Sequence, residues 1–171
     1  VAIEPKNFAI GFRVEHPQQL IDEIQYGDSA GHPALAPADY KITFNENGIG
    51  VYSFCMCPGG LVIAASSEKD HLVTNGMSTY ERNSGYANSA LVVGITQESL
   101  RDIQAPIPFK GIFLQESLEK KAFLLGGGNH HAPAQKLTSY LANKTDSAPI
   151  SCTYRPGVAN RNLNELLPNE L

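Results

Sequence analysis

Two thiols two residues apart stand at the end of the run Tyr52-Ser53-Phe54-Cys55-Met56-Cys57-Pro58-Gly59-Gly60. A thiolate is a nucleophile, a metal ligand and a redox group. The run is aromatic and β-prone, and the Pro-Gly-Gly that follows bends the backbone sharply and lets another molecule approach. Reactive groups would thus sit at the lip of a strand. Alternate residues of a strand share a face, so Cys55 and Cys57 serve equally well as core packing. A disulfide between them is disfavoured, because residues two apart on a strand lie near or beyond the usual Cα limit for a bridge. The spacing is not the Cys-x-x-Cys of redox enzymes. Zinc wants about four ligands, and Cys152 with scattered histidines such as His71 would have to complete the set.

Other residues could join such a site. Thr74-Asn75-Gly76-Met77-Ser78 reads as a second small, polar, glycine-containing turn. Arg13, Arg82 and Arg155 are isolated guanidinium candidates for a carboxylate or phosphate, and Arg82 follows the second turn most closely. His130-His131 offers an acid/base or anion contact but reads first as a polar loop. Gly126-Gly127-Gly128 ends a helix rather than opening one, so it reads as a C-cap and not as a phosphate loop. No Gly-x-Gly-x-x-Gly follows a strand, and neither Gly-x-x-x-x-Gly-Lys-Ser/Thr nor Gly-x-Ser-x-Gly occurs.

The elements that would position these groups are mostly short. Phe8 to Val14 alternates and reads as a strand. A helix then opens with Pro17 in its first turn, turns Leu20, Ile21 and Ile24 inward, and stops at Gly27. Residues 28–38 form a turn-rich loop. Asp39 to Asn45 and Gly50 to Met56 read as a hairpin about Asn45-Glu46-Asn47-Gly48. Leu61 to Ala65 and Ser89 to Ile95 are further strands. Pro108 to Leu125 is the clearest helix, with Leu114, Leu118, Ala122 and Leu125 in one line. Pro133 to Leu141 reads as another helix, residues 143–150 as a loop, and Asn162 to Leu167 as a closing turn before Pro168. Strands come first and helices later, which predicts α+β: a mainly antiparallel sheet with several helices packed on it, in a single domain without a Rossmann fingerprint.

The 171 residues suffice for a core without disulfides, and 42% hydrophobic with 18% charged residues is a globular composition. A net charge of −4 without a basic patch argues against nucleic acid. No apolar run approaches 18 residues, so no membrane span is expected. Three cysteines and no signal-peptide pattern predict a reducing compartment, by default the cytoplasm. The first residue is Val1, which adds to an expectation that the chain is cut from something longer.

Several segments together resemble a known family. They are Ile10-Gly11-Phe12-Arg13-Val14-Glu15-His16-Pro17, Asp39-Tyr40-Lys41, Val51 to Gly60 and Thr74 to Ser78. Further along come Ala87-Asn88-Ser89-Ala90, Gly126-Gly127-Gly128-Asn129, Ala132-Pro133-Ala134-Gln135 and Tyr154-Arg155-Pro156-Gly157. Over nearly its whole length the chain is similar to the uncharacterised bacterial FAD-dependent dehydrogenases, the NAD(FAD)-utilizing dehydrogenases, in their second, embedded cap or substrate domain. The resemblance implies a piece of a flavoprotein oxidoreductase, inactive and without bound cofactor by itself. FAD would sit in the full-length protein, on a Rossmann domain of the same polypeptide. A small-molecule substrate is implied, and NAD(P)H is a candidate partner. It places Cys55, Cys57, Pro58, Gly59 and Gly60 on a wall facing flavin or substrate, with the two cysteines as catalytic candidates. Asn75, Gly76, Met77 and Ser78 become a second contact loop, and Arg82 an anion clamp. No metal is implied. The competing expectations are a stand-alone thiol or metal module and a non-enzymatic ligand-binding domain.

Overall fold

The first strand of the protein outruns its sequence signature. In a computed structural model, which describes residues 3–167, β1 spans Ala9–Pro17 because His16 and Pro17 still pair with Ala87 and Tyr86. Pro17 therefore precedes the helix as its cap rather than occupying the first turn, and α1 spans Gln18–Tyr26. Gly27, at φ 55°, ends it as expected. The inward face differs from the expected one: Ile21 and Gln18 are buried, whereas Leu20 and Ile24 are 48% and 69% exposed.

The hairpin forms with β2 at Thr43–Glu46 and β3 at Ile49–Cys57. Asn47 and Gly48 both take positive φ, the two-residue turn whose twist matches the strands. β2 is shorter than the expected run, although the Ser53 N–H still donates to the Ile42 carbonyl at 2.8 Å. β4 (Gly60–Ala64) then leaves the first sheet and pairs antiparallel with β5 (Thr74–Ser78). The segment expected as a second polar turn is thus a strand. Its Asn-Gly pair signals a turn in isolation, but ladder bonds to β4 hold it extended.

β6 (Tyr86–Gly94) lies between β1 and β3 and gives a four-stranded sheet in the order β1-β6-β3-β2. α2 (Lys110–Leu125) follows. Its expected end holds: the N–H groups of Gly126, Gly127 and Gly128 donate to the carbonyls of Ala122, Leu124 and Phe123. Three-residue β7 (Ala132–Ala134) comes next, paired in parallel with β8 (Val158–Asn160). The helix expected over Pro133 to Leu141 is therefore reduced to the five residues of α3 (Leu137–Leu141). Pro133 has no N–H to give a helix and sits in this short ladder instead. The closing turn is a 3-10 turn at Leu163–Glu165, while Pro168 lies outside the described residues.

The architecture is α+β with mainly antiparallel pairing, as expected. One apolar cluster joins Val62, Leu72, Ala122, Phe123, Ala132 and Tyr154, clamping α2 over the β4–β5 ladder. A second joins Ile95, Leu100 and Leu114, with Phe8 and Ile10 packed on it. Between them they hold β1 against α2 and turn Arg13 toward the β4–β5 ladder.

Candidate functional site

A β-bulge organises the site. Phe54 pairs with Ala90 and Cys57 pairs with Asn88, so Cys55 and Met56 together oppose the single residue Ser89. Cys55 takes up the extra length at φ 46°, a left-handed conformation that a non-glycine side chain adopts at a cost. The bulge turns the Cys55 carbonyl toward β1, where Arg13 stands opposite Ala90 and diagonal to Asn88. Arg13 Nη1 donates to Asn88 Oδ1 at 2.7 Å and to the Cys55 carbonyl at 3.3 Å. Its Nη2 donates to Asn75 Oδ1 on β5 at 3.2 Å. The Cys57 thiol donates to the same Cys55 carbonyl at 3.4 Å.

Gly76 explains how three strands converge on one guanidinium. A Cβ there would overlap Asn88 Oδ1 and lie 2.5 Å from Arg13 Nη1 and 2.8 Å from Cys57 Sγ. The missing side chain is the space these groups fill. Asn88 is wholly buried, yet its Nδ2 has no partner, and the buried Nε of Arg13 has none either. Burial pulls the Arg13 guanidinium below its ordinary value, opposed by the negative charge that Cys57, Cys55 and Tyr40 can carry. Among the described residues, ion pairs join only Arg101 to Glu98 and Asp102, so no carboxylate neutralises Arg13.

The opposite sheet face carries a second polar chain. His16 Nε2 shares a hydrogen bond with the Tyr40 hydroxyl at 3.0 Å, and Tyr40 shares another with the buried Ser89 hydroxyl at 2.7 Å. Ser89 is the residue opposite the bulge, so the two polar groups meet back to back through β6.

Arg13 also lines a cavity of about 550 Å³ with Glu15, Val62, Thr74, Cys152 and Tyr154. Glu15 accepts from the Thr153 N–H at 2.9 Å and from the Thr153 hydroxyl. Burial pushes the Cys152 thiol up, against the Tyr154 N–H, and the Glu15 charge pushes the same way.

The residues singled out in the sequence thus divide. Cys55, Asn75, Gly76 and Cys57 gather around Arg13. Pro58, Gly59 and Gly60 are buried behind them. The Gly59 N–H donates to Gln18 Oε1 at 2.7 Å, and a Cβ on Gly59 would overlap the Arg82 carbonyl. The Ser78 hydroxyl donates to the Pro58 carbonyl at 2.9 Å. Met77 is 58% exposed. Arg82 is exposed on the turn over Gly59 and makes none of the Arg13 group's hydrogen bonds. Among the described residues, no three His, Cys, Asp or Glu side chains are grouped to hold a metal, so the thiol–metal reading lacks its ligand set. Sequence reasoning passed over Asn88, Ser89, Tyr40 and His16 as site residues. The one signal was a polar Asn-Ser pair inside an apolar strand.

A family model described as "FAD-dependent protein, C-terminal domain-like" matches residues 7–171. The chain belongs to this family. An uncharacterized protein of Clostridium beijerinckii is 44% identical over 173 residues, which covers 99% of this chain and 32% of that protein. The chain thus spans about a third of the length of this relative. The family is that of FAD-dependent proteins, and the relative is long enough to carry a further domain. No described helix is long and apolar enough to cross a membrane.

Proposed function

We propose that this chain is the part of a larger FAD-dependent oxidoreductase that covers the flavin and shapes the substrate site. The observation that carries the reading is the Arg13 group. A cation that forms no ion pair among the described residues, two free thiols and an exposed amide converge at a bulge, in a chain whose relative is about three times as long. The partner is an FAD-binding Rossmann domain of the same polypeptide.

The residues fit one end of the cofactor. Gly126-Gly127-Gly128 is used to end α2, so this glycine run does not open a helix toward a pyrophosphate. The exposed Asn75 and Cys55, held beside Arg13, suit the polar edge of a ring or its substrate. Bound flavin supplies hydride acceptance from a reduced substrate or from NAD(P)H. This chain's own work is to bind, orient and exclude water. Cys55, Asn75, Met77 and Arg82 form the exposed rim, and Pro58, Gly59, Gly60, Gly76 and Ser78 hold it from behind. Alone the chain would bind no flavin and catalyse nothing. A free, exposed thiol at the rim fits a reducing compartment such as the cytoplasm.

A second reading, a non-enzymatic ligand-binding domain, draws on the cavity, whose lining includes Arg13 but none of Cys55 to Gly60. Iodide quenching of flavin fluorescence separates the two. Removing residues 7–167 from the full-length protein should raise the quenching constant several-fold if this domain covers the ring. An unchanged constant would favour the second reading.

A further inference from the structure

We infer that the outer edge of β1 takes an added strand, an extended segment supplied by the part of the polypeptide that lies outside this chain; this deepens the reading of the chain as one part of a longer protein and rests on it. β1 is the end strand of its sheet and pairs only with β6. The Ile95 N–H donates to the Phe8 carbonyl at 2.9 Å, and the register runs unbroken from Ala9 to Pro17. Antiparallel pairs alternate between bonded and non-bonded, so Ile10, Phe12 and Val14 spend their N–H and C=O groups on β6. Those of Ala9, Gly11, Arg13 and Glu15 point the other way. Among the described residues, no hydrogen bond reaches these outward groups. Such an edge is a template for another strand.

The 550 Å³ cavity runs along this edge. Its wall takes Phe8 through Arg13 without a gap, whereas β6 gives only Ala90 and Val92. A sheet face shows alternate residues, as β6 does here; consecutive ones mark an edge. Arg13 thus borders the cavity although its guanidinium is turned to Asn88 and Asn75. More of the wall comes from the main core, through Val62, Leu72, Ala122 and Tyr154. Protein interiors are close-packed, with few voids larger than a water molecule, so a space of this size beside the core suits a permanent occupant. From Ala9 to Glu15 the edge measures about 20 Å at about 3.3 Å per residue, enough for a strand of about six residues. Backbone bonds to β1 would hold that strand, and the apolar walls select apolar side chains. Glu15 and Glu119 on the wall select against acidic ones. The source of the strand follows from length. The relative is about three times as long as this chain, so its remainder is tethered at an effective concentration that reaches the mM range. An untethered peptide would meet the whole cost of association for one strand.

Hydrogen exchange on the full-length protein tests the strand, read residue by residue by mass spectrometry with electron-transfer fragmentation. The outward amides of Gly11, Arg13 and Glu15 should exchange within about tenfold of the inward amides of Ile10, Phe12 and Val14, because both sets then open together. Outward amides faster than inward ones by about 100-fold or more would overturn the inference. Photo-leucine, close in shape to leucine, identifies the occupant in the same protein. Leu72, Leu118 and Leu163 line the cavity, and on illumination they should cross-link to one segment of the same polypeptide outside this chain. Cross-links that join two copies, or none that leaves this chain, would also overturn it. The visible spectrum of the sample separates the two claims. A flavin-bearing protein with fast outward amides sinks the added strand alone, whereas a colourless one with slow outward amides and the expected cross-link sinks the flavin reading alone.

Discussion

Gly76→Ala tests whether the site is assembled as described. The new methyl would overlap Asn88 Oδ1 and press on Arg13 Nη1 at 2.5 Å and Cys57 Sγ at 2.8 Å. Asn88 is 0% exposed on an inner strand and has little room to move away, so the methyl must push Arg13 off it. Overpacking costs about 1–3 kcal/mol. Loss of the charged Arg13–Asn88 bond costs about 1.5–3 kcal/mol. The two share atoms and do not simply add, so about 3 kcal/mol in all is expected. In a chain of this size that lowers the melting temperature by about 6–12 °C. Gly50→Ala is the control, because the nearest atom to its Cβ is Asn45 Nδ2 at 3.8 Å in a strand of ordinary φ. That change should be neutral or stabilising by up to about 1 kcal/mol. Urea and thermal unfolding of both variants beside the parent measure the difference. If Gly76→Ala unfolds like Gly50→Ala, the convergence on Arg13 is not as described, and the reasoning built on it fails.

Gln18→Ala should destabilise the protein by about 2–4 kcal/mol in urea unfolding, because it strips partners from the buried Gly59 N–H and the Ala38 carbonyl. A loss below 1 kcal/mol would mean that α1 does not anchor the Pro58–Gly60 turn. Burial raises Cys152 from its ordinary 9.0, so the folded state holds the thiol proton more tightly than the unfolded one. That contribution is whole below pH 9.0 and is lost as pH rises through the raised folded value. Cys152→Ala should flatten the alkaline decline of stability. Mass spectrometry of iodoacetamide adducts should also find exposed Cys55 alkylated before Cys152 at neutral pH; the reverse order would contradict the burial argument.

The local signals in the sequence were reliable where backbone chemistry decides. Asn47-Gly48 made the hairpin, Gly27 ended α1, and Gly126 to Gly128 ended α2. They failed where a partner distant in sequence decides. Asn75-Gly76 reads as a turn alone, but β4 holds it as a strand and Gly76 empties a space for residues 13, 57 and 88. Arg82 looked the better guanidinium because it is near Ser78 in sequence. Arg13 reaches Asn88 across 75 residues and Asn75 across 62, contacts that periodicity cannot reveal. The bulge at Cys55 was equally hidden, since Cys-Met-Cys continues the β pattern and only the pairing with β6 exposes the extra residue.

On this reading the chain is one part of a flavoprotein whose cofactor is held elsewhere in the polypeptide. A visible absorption spectrum addresses this directly, taken on the isolated chain and on the full-length protein after each is mixed with FAD and desalted. The expected result is a retained flavin band in the full-length protein and none in the chain alone. A band retained by the isolated chain, or by neither, would contradict the account.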